Sequence, residues 1–139
     1  MKKATILIAG LAGLTISASA QKLAASNVPG AVKMAFAKAH PEVKTVTWEK
    51  EENDFEAGFK LKDQEVSEIY SASGKMRESE VEIKTTELPA PITSYIAGHY
   101  KKAKIKGAAK ITKADGTVVY EAVINGKDHL FDAKGNPVK

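Results

Sequence analysis

The stretch VPGAVKMAFAKAH at 28–40 and the stretch LPAPITSYIAGHY at 88–100 begin alike, with an apolar residue, a proline and then apolar residues at helical spacing. Such an opening, repeated sixty positions later in a chain of 139 residues, limits the fold to two small units of similar plan. A unit of roughly fifty residues buries too little apolar surface to be stable by itself. Two copies packed together complete one core, so the pattern predicts halves that cover each other's apolar surface.

Each opening carries its own start and stop. Proline is favoured in a first helical turn because the N–H it lacks has no intrahelical acceptor there. Pro29 therefore starts a helix reaching to about Ala39, with Val28, Val32, Ala35, Phe36 and Ala39 as its apolar stripe. His40-Pro41 ends it, since the residue before proline is pushed out of the helical region. Pro89 starts a second helix with Leu88, Ile92, Tyr95, Ile96 and His99 as its stripe.

After each helix the apolar period changes to two. The segments 43–51, 54–61, 65–71 and 75–83 read as four strands, and 104–112, 117–124, 127–132 and 136–139 as four more. Phe55, Ala57, Phe59 and Leu61 alternate with Glu56, Gly58, Lys60 and Lys62, the pattern of a sheet with one buried and one wet face. Asn125-Gly126 is a strong hairpin cue, and Gly74 and Gly135 stand at matching turns. The fold class expected is α+β, a two-layer tandem repeat of a helix plus a four-stranded antiparallel sheet. Its parts would be a linker at 21–27, a first repeat at 28–87 and a second at 88–139.

Residues 1–20 stand apart. Lys2 and Lys3 precede the apolar run 4–16, and SASA at 17–20 ends in a small-x-small pattern. This is a signal peptide with cleavage expected after Ala20, too short for a membrane span, and it sends the chain to the periplasm or outside the cell. The chain has no cysteine, so apolar burial must stabilise it without disulfides. Charge is uneven: 28–87 holds nine Lys/Arg against thirteen Asp/Glu, whereas 88–139 holds nine Lys against four Asp/Glu.

Through VP…HP…VKTVTWEKE…FEAGF…GK and then LP…YI…AKI…ITKADGT…YEA…FDAKGN, nearly all of 28–139 resembles the PepSY-like domain of secreted Bacteroidetes-type proteins, a family similar to the beta-lactamase inhibitor protein. The resemblance implies a BLIP-like tandem fold, an exported location and a binding role, in which PepSY domains restrain secreted peptidases and the inhibitor grips its enzyme with a concave sheet surface.

The residues themselves point away from catalysis. His40, His99 and His129 have no ligand spacing and no cysteine partner, and there is no nucleophile elbow or phosphate loop. No catalytic residue, metal ligand or cofactor is assigned, and nucleic acid is not expected as a partner of an exported chain. Glu78, Glu80 and Glu82 alternate along one strand, with Glu49 and Glu51 on another, which suits cation binding or capture of a basic peptide as well as a plain solvated face. Trp48 is either a core residue or an interface anchor. Candidate partner-binding residues are Trp48, Glu56, Lys60, Glu78, Glu80, Tyr100 and Glu121.

The function expected is therefore an exported, non-catalytic protein-binding module, an inhibitor or regulator of an envelope enzyme such as a peptidase. The alternative is a periplasmic sensory or binding module for an anionic ligand or glycan, using Lys101, Lys102, Lys104 and Lys106.

Overall fold

Both proline-led stretches form helices. In the computed structural model, which describes residues 21–139, helix α1 spans Gly30–Ala39 and helix α2 spans Ala90–His99. Pro29 and Pro89 sit at the N-caps with extended backbone, and a 3-10 turn precedes each helix, at Ala25–Asn27 and Thr85–Glu87. The signal-peptide segment 1–20 lies outside the described residues.

Nine strands complete the described residues: β1 Gln21–Leu23, β2 Val46–Glu51, β3 Asp54–Leu61, β4 Gln64–Ser71, β5 Met76–Ile83, β6 Ile105–Lys113, β7 Val118–Ile124, β8 Lys127–Phe131 and β9 Pro137–Val138. They form one antiparallel sheet in strict sequence order. This corrects the expected tandem of separate four-stranded units, although the α+β class stands. The halves join edge to edge: Glu78–Ile83 of β5 pair with Ala108–Lys113 of β6. A β-strand edge offers unpaired N–H and C=O groups, and pairing them with the next strand satisfies the backbone without stacking sheet on sheet. The residues 21–23, expected to be linker, add an edge strand opposite Trp48.

Cross-strand partners point to the same side of a sheet. The row Val46–Phe59–Val66–Val81–Lys110–Tyr120–Phe131 therefore marks a single face across seven strands. Both helices lie on that face. Phe36 of α1 meets Trp48, Phe59 and Tyr70 edge-on, and Tyr95 of α2 meets Phe131. The core is correspondingly divided. Val28, Val32, Phe36, Trp48, Phe55, Ala57, Phe59, Val66 and Tyr70 pack under α1, while Leu88, Ile92, Ile96, Ala108, Ala122, Ile124 and Phe131 pack under α2. The halves do not cover each other's apolar surface. Each is covered by its own helix.

Polar contacts fix both helix ends. His40, at the end of α1, meets Glu68 of β4 at 2.9 Å, and Glu68 also accepts the Tyr70 hydroxyl. Tyr100, at the end of α2, meets Nδ1 of His129 on β8 at 3.2 Å. Two turn glycines fix the other ends. A Cβ on Gly74 (φ +83°) would stand 2.5 Å from the Ala31 carbonyl oxygen, and one on Gly135 (φ +86°) 2.6 Å from that of Pro91. Gly116 has φ +84° with open space around it.

These geometries separate backbone strain from steric conflict. Gly116→Ala should cost about 1 kcal/mol for the left-handed backbone alone. Gly74→Ala and Gly135→Ala should cost roughly 2–4 kcal/mol, because the methyl also displaces the first helical turn. Urea unfolding of the three variants measures this, and equal losses would contradict the docking of both turns against the helices.

Candidate functional site

With both helices on one side, the other side of the sheet is helix-free. Register places on it Thr47 and Glu49 of β2, Glu56, Gly58 and Lys60 of β3, Ser67 and Ile69 of β4, and Glu78, Glu80 and Glu82 of β5. It continues with Ala109, Ile111 and Lys113 of β6, Val119, Glu121 and Val123 of β7, and Asp128 and Leu130 of β8. The face is thus acidic across β2–β5 and mainly apolar across β6–β8.

Burial on this face is unusual. Glu80 is 4% exposed and Glu121 2%, and Ala109, Ile111 and Val119 are buried beside them. No helix lies above these side chains, so neighbours on the same face must cover them. Irregular register at Ile69/Tyr70 and at Ile105/Gly107 supplies two points where strands bend. A cavity of 580 Å³ opens on this face, bordered by Thr47, Glu56, Lys60, Glu65, Ser67, Glu80 and Glu82 among others. Gly58 contributes no side chain to its floor.

The carboxylates in this hollow are under strong electrostatic constraint. Burial, reinforced by Glu121, Glu78, Glu56 and Asp128, pushes the Glu80 carboxyl up to about 9. Burial with Asp128 and Glu78 pushes Glu121 up to about 7. Glu56 is raised by burial, opposed by the Ser67 hydroxyl that donates to its Oε1 at 2.5 Å. Glu78 is raised by burial and partly offset by Lys113. Oε2 of Glu80 and Oε1 of Glu121 are buried without a hydrogen-bond partner among the described residues. Buried polar atoms are nearly always paired, so two orphaned oxygens on one face set this surface apart from the rest of the described residues.

Five of the seven candidate residues come together here: Glu56, Lys60, Glu78, Glu80 and Glu121 share the helix-free face. Lys60 pairs with Glu65 at 3.1 Å. Trp48 does not belong to the site. It lies in the core with its ring edge-on to Phe36 at 5.5 Å, which decides between its two readings. Tyr100 also lies on the helix side, against His129. Among the described residues no group of three or more His, Cys, Asp or Glu is arranged to hold a metal ion. Ser67, Asp128 and the Glu68 network were not singled out from the sequence. Glu68 carried a misleading signal, since an acid on the apolar side of a strand is stable only because distant His40 and Tyr70 satisfy it.

No protein-family model and no curated protein matches the sequence. Solved structures do match. A protein from Bacteroides eggerthii provisionally described as periplasmic aligns with TM-score 0.74 at 15% identity, covering 81% of this chain and 86% of that one. A DUF2874 family protein from Bacteroides uniformis aligns with TM-score 0.73 at 14% identity, over 80% and 86% of the two chains. A BLIP-like protein from Bacteroides fragilis aligns with TM-score 0.67 at 16% identity, over 80% and 84%. This likeness establishes the fold, which the chain shares with these proteins, the first of them provisionally described as periplasmic. No helix among the described residues is long and apolar enough to cross a membrane.

The raised carboxyls make stability depend on pH in a defined direction. An unfolded glutamate gives up its proton near 4.5, whereas folded Glu80 holds it to about 9. The folded state binds more protons over that interval, so this contribution is complete below 4.5 and is lost as pH rises towards 9. Urea midpoints should fall from pH 5 to 9. Glu80→Gln should flatten the part above 7 and Glu121→Gln part of the fall below it. A flat profile in the unaltered protein would contradict the burial of these groups.

Proposed function

We propose that this protein is an exported, non-catalytic binding module that docks its helix-free sheet face onto another envelope protein, as an inhibitor or regulator of an enzyme such as a peptidase. The observation that carries the reading is the helix-free acidic face, with a cavity lined by Glu80 and two buried, unpaired carboxylate oxygens, one on Glu80 and one on Glu121. Leaving such atoms without partners lowers stability, a cost that a folded protein tolerates at a functional surface. Support comes also from the fold, shared with a BLIP-like protein and with a protein provisionally described as periplasmic. The PepSY-like resemblance of 28–139 and the signal-like residues 1–20 fit the same reading.

The competing reading, an anionic ligand held by lysines, finds less support. Lys101, Lys102 and Lys104 lie in the connection after α2, while Lys110 and Lys113 of β6 point to opposite faces of the sheet. These last two therefore do not share one surface.

Residues 21–139 immobilised on a resin and exposed to envelope extract should enrich a specific protein. Ser67→Trp, which fills the hollow, should abolish that enrichment, whereas Met34→Ser on the exposed side of α1 should leave it intact. Enrichment that survives Ser67→Trp and disappears with Met34→Ser would place the docking surface on the helix side and contradict the proposal.

A further inference from the structure

The hollow has a chemistry of its own. Acid groups share its face from five strands: Glu49 and Glu51 of β2, Glu56 of β3, Glu65 of β4, Glu78, Glu80 and Glu82 of β5, and Glu121 of β7, with Asp128 of β8 at its margin. Three cations share the face: Lys22 and Lys60 line the cavity, and Lys113 stands beyond it. Lys22 of β1 is opposite Glu49, Lys60 is paired with Glu65, and Lys113 is opposite Glu78. None of them forms an ion pair with Glu80 or Glu121 among the described residues, and the inward oxygens of both acids are left without partners. Beside the acids the face is aliphatic, with Ile69, Ile111 and Val119. A buried acceptor pair rimmed by further acids and floored by aliphatic side chains suits a group with a cationic head and an apolar stem.

We infer that the helix-free face around this cavity is a receptor for one basic side chain, a lysine or arginine projecting from the partner protein, with Glu80, which lines the cavity, and Glu121, two strands away on the same face, as its acceptors and Ile69 and Ile111 along its stem. This rests on the docking reading above and gives the partner's anchoring chemistry. In the free protein both acids retain protons to a large extent, because burial and mutual repulsion disfavour their charged forms. The arriving cation reverses that balance. Each carboxyl that ionises gives its proton to the solvent, and the cation's charge compensates the carboxylate formed. Binding is therefore coupled to proton release and strengthens as pH rises from 6 to 9, by roughly tenfold per pH unit while one proton leaves per ligand bound.

The test uses residues 21–139 with glutamate side-chain carboxyl carbons labelled for NMR, titrated with a capped Gly-Lys-Gly peptide and its arginine and norleucine counterparts. The carboxyl signals of Glu80 and Glu121 should move and saturate with the lysine or arginine peptide, and remain still with norleucine. Affinity should be higher at pH 8.5 than at pH 6.5. Glu80→Gln together with Glu121→Gln should weaken binding by about tenfold or more, whereas Glu42→Gln, in the exposed turn after α1, should not. Equal binding of the norleucine peptide, unchanged affinity in the double variant, or weaker binding at the higher pH would each overturn the inference. Spermidine or calcium saturating the same signals at concentrations far below the peptides would overturn it in favour of a free cation. If envelope capture is lost with Ser67→Trp while the double variant captures normally, docking stands and the basic-side-chain inference falls.

Discussion

The pairing of β5 with β6 determines everything that follows in this molecule. It is an antiparallel ladder running from Glu78–Lys113 to Ile83–Ala108, and it carries the alternation of one half into the other without a change of side. A slip of one residue would turn the apolar set of the second half away from the first. In the observed register both helices fall on one face. The opposite face is then a single surface formed by strands from both halves, and Glu80 and Glu121 are brought close enough to repel each other across β6.

The two faces treat the same residue type in opposite ways. Glu68 is buried on the helix side, and His40 and Tyr70 satisfy it, so it acts as a polar pin between α1 and β4. Glu80 and Glu121 are buried on the free side with one oxygen each unmatched. A fully satisfied buried carboxyl helps to specify a core, and an unsatisfied one makes the site responsive to any cation that reaches it. The distinction lies in the partners, not in the depth of burial.

Much of the local structure was legible in the sequence. Pro29 and Pro89 announced the helices, and alternation in 54–61 gave β3 its bounds and its buried side. Arrangement was harder to see. Period-two patterning reports which side of a strand is apolar and carries no information about what lies along its edges, so edge-to-edge joining and face-to-face packing of the halves look alike. The site was partly visible: Glu78 and Glu80 alternate along one strand, and their exposure was the natural reading. The burial of Glu121 left a signal in VVYEAVI at 118–124, where one acid interrupts a run apolar on both sides. Such runs mark strands covered on both faces. The role of Trp48 was decided only by the register that put it opposite Ala57, under Phe36.

Amide hydrogen exchange in residues 21–139 tests the joining of the halves most directly. Amides of β5 that point towards β6, and those of β6 that point towards β5, should exchange as slowly as amides between β3 and β4, since all would be interior ladder bonds. Rapid exchange confined to those two rows, with the remaining strands protected, would show that the halves are separate sheets and that no shared face exists.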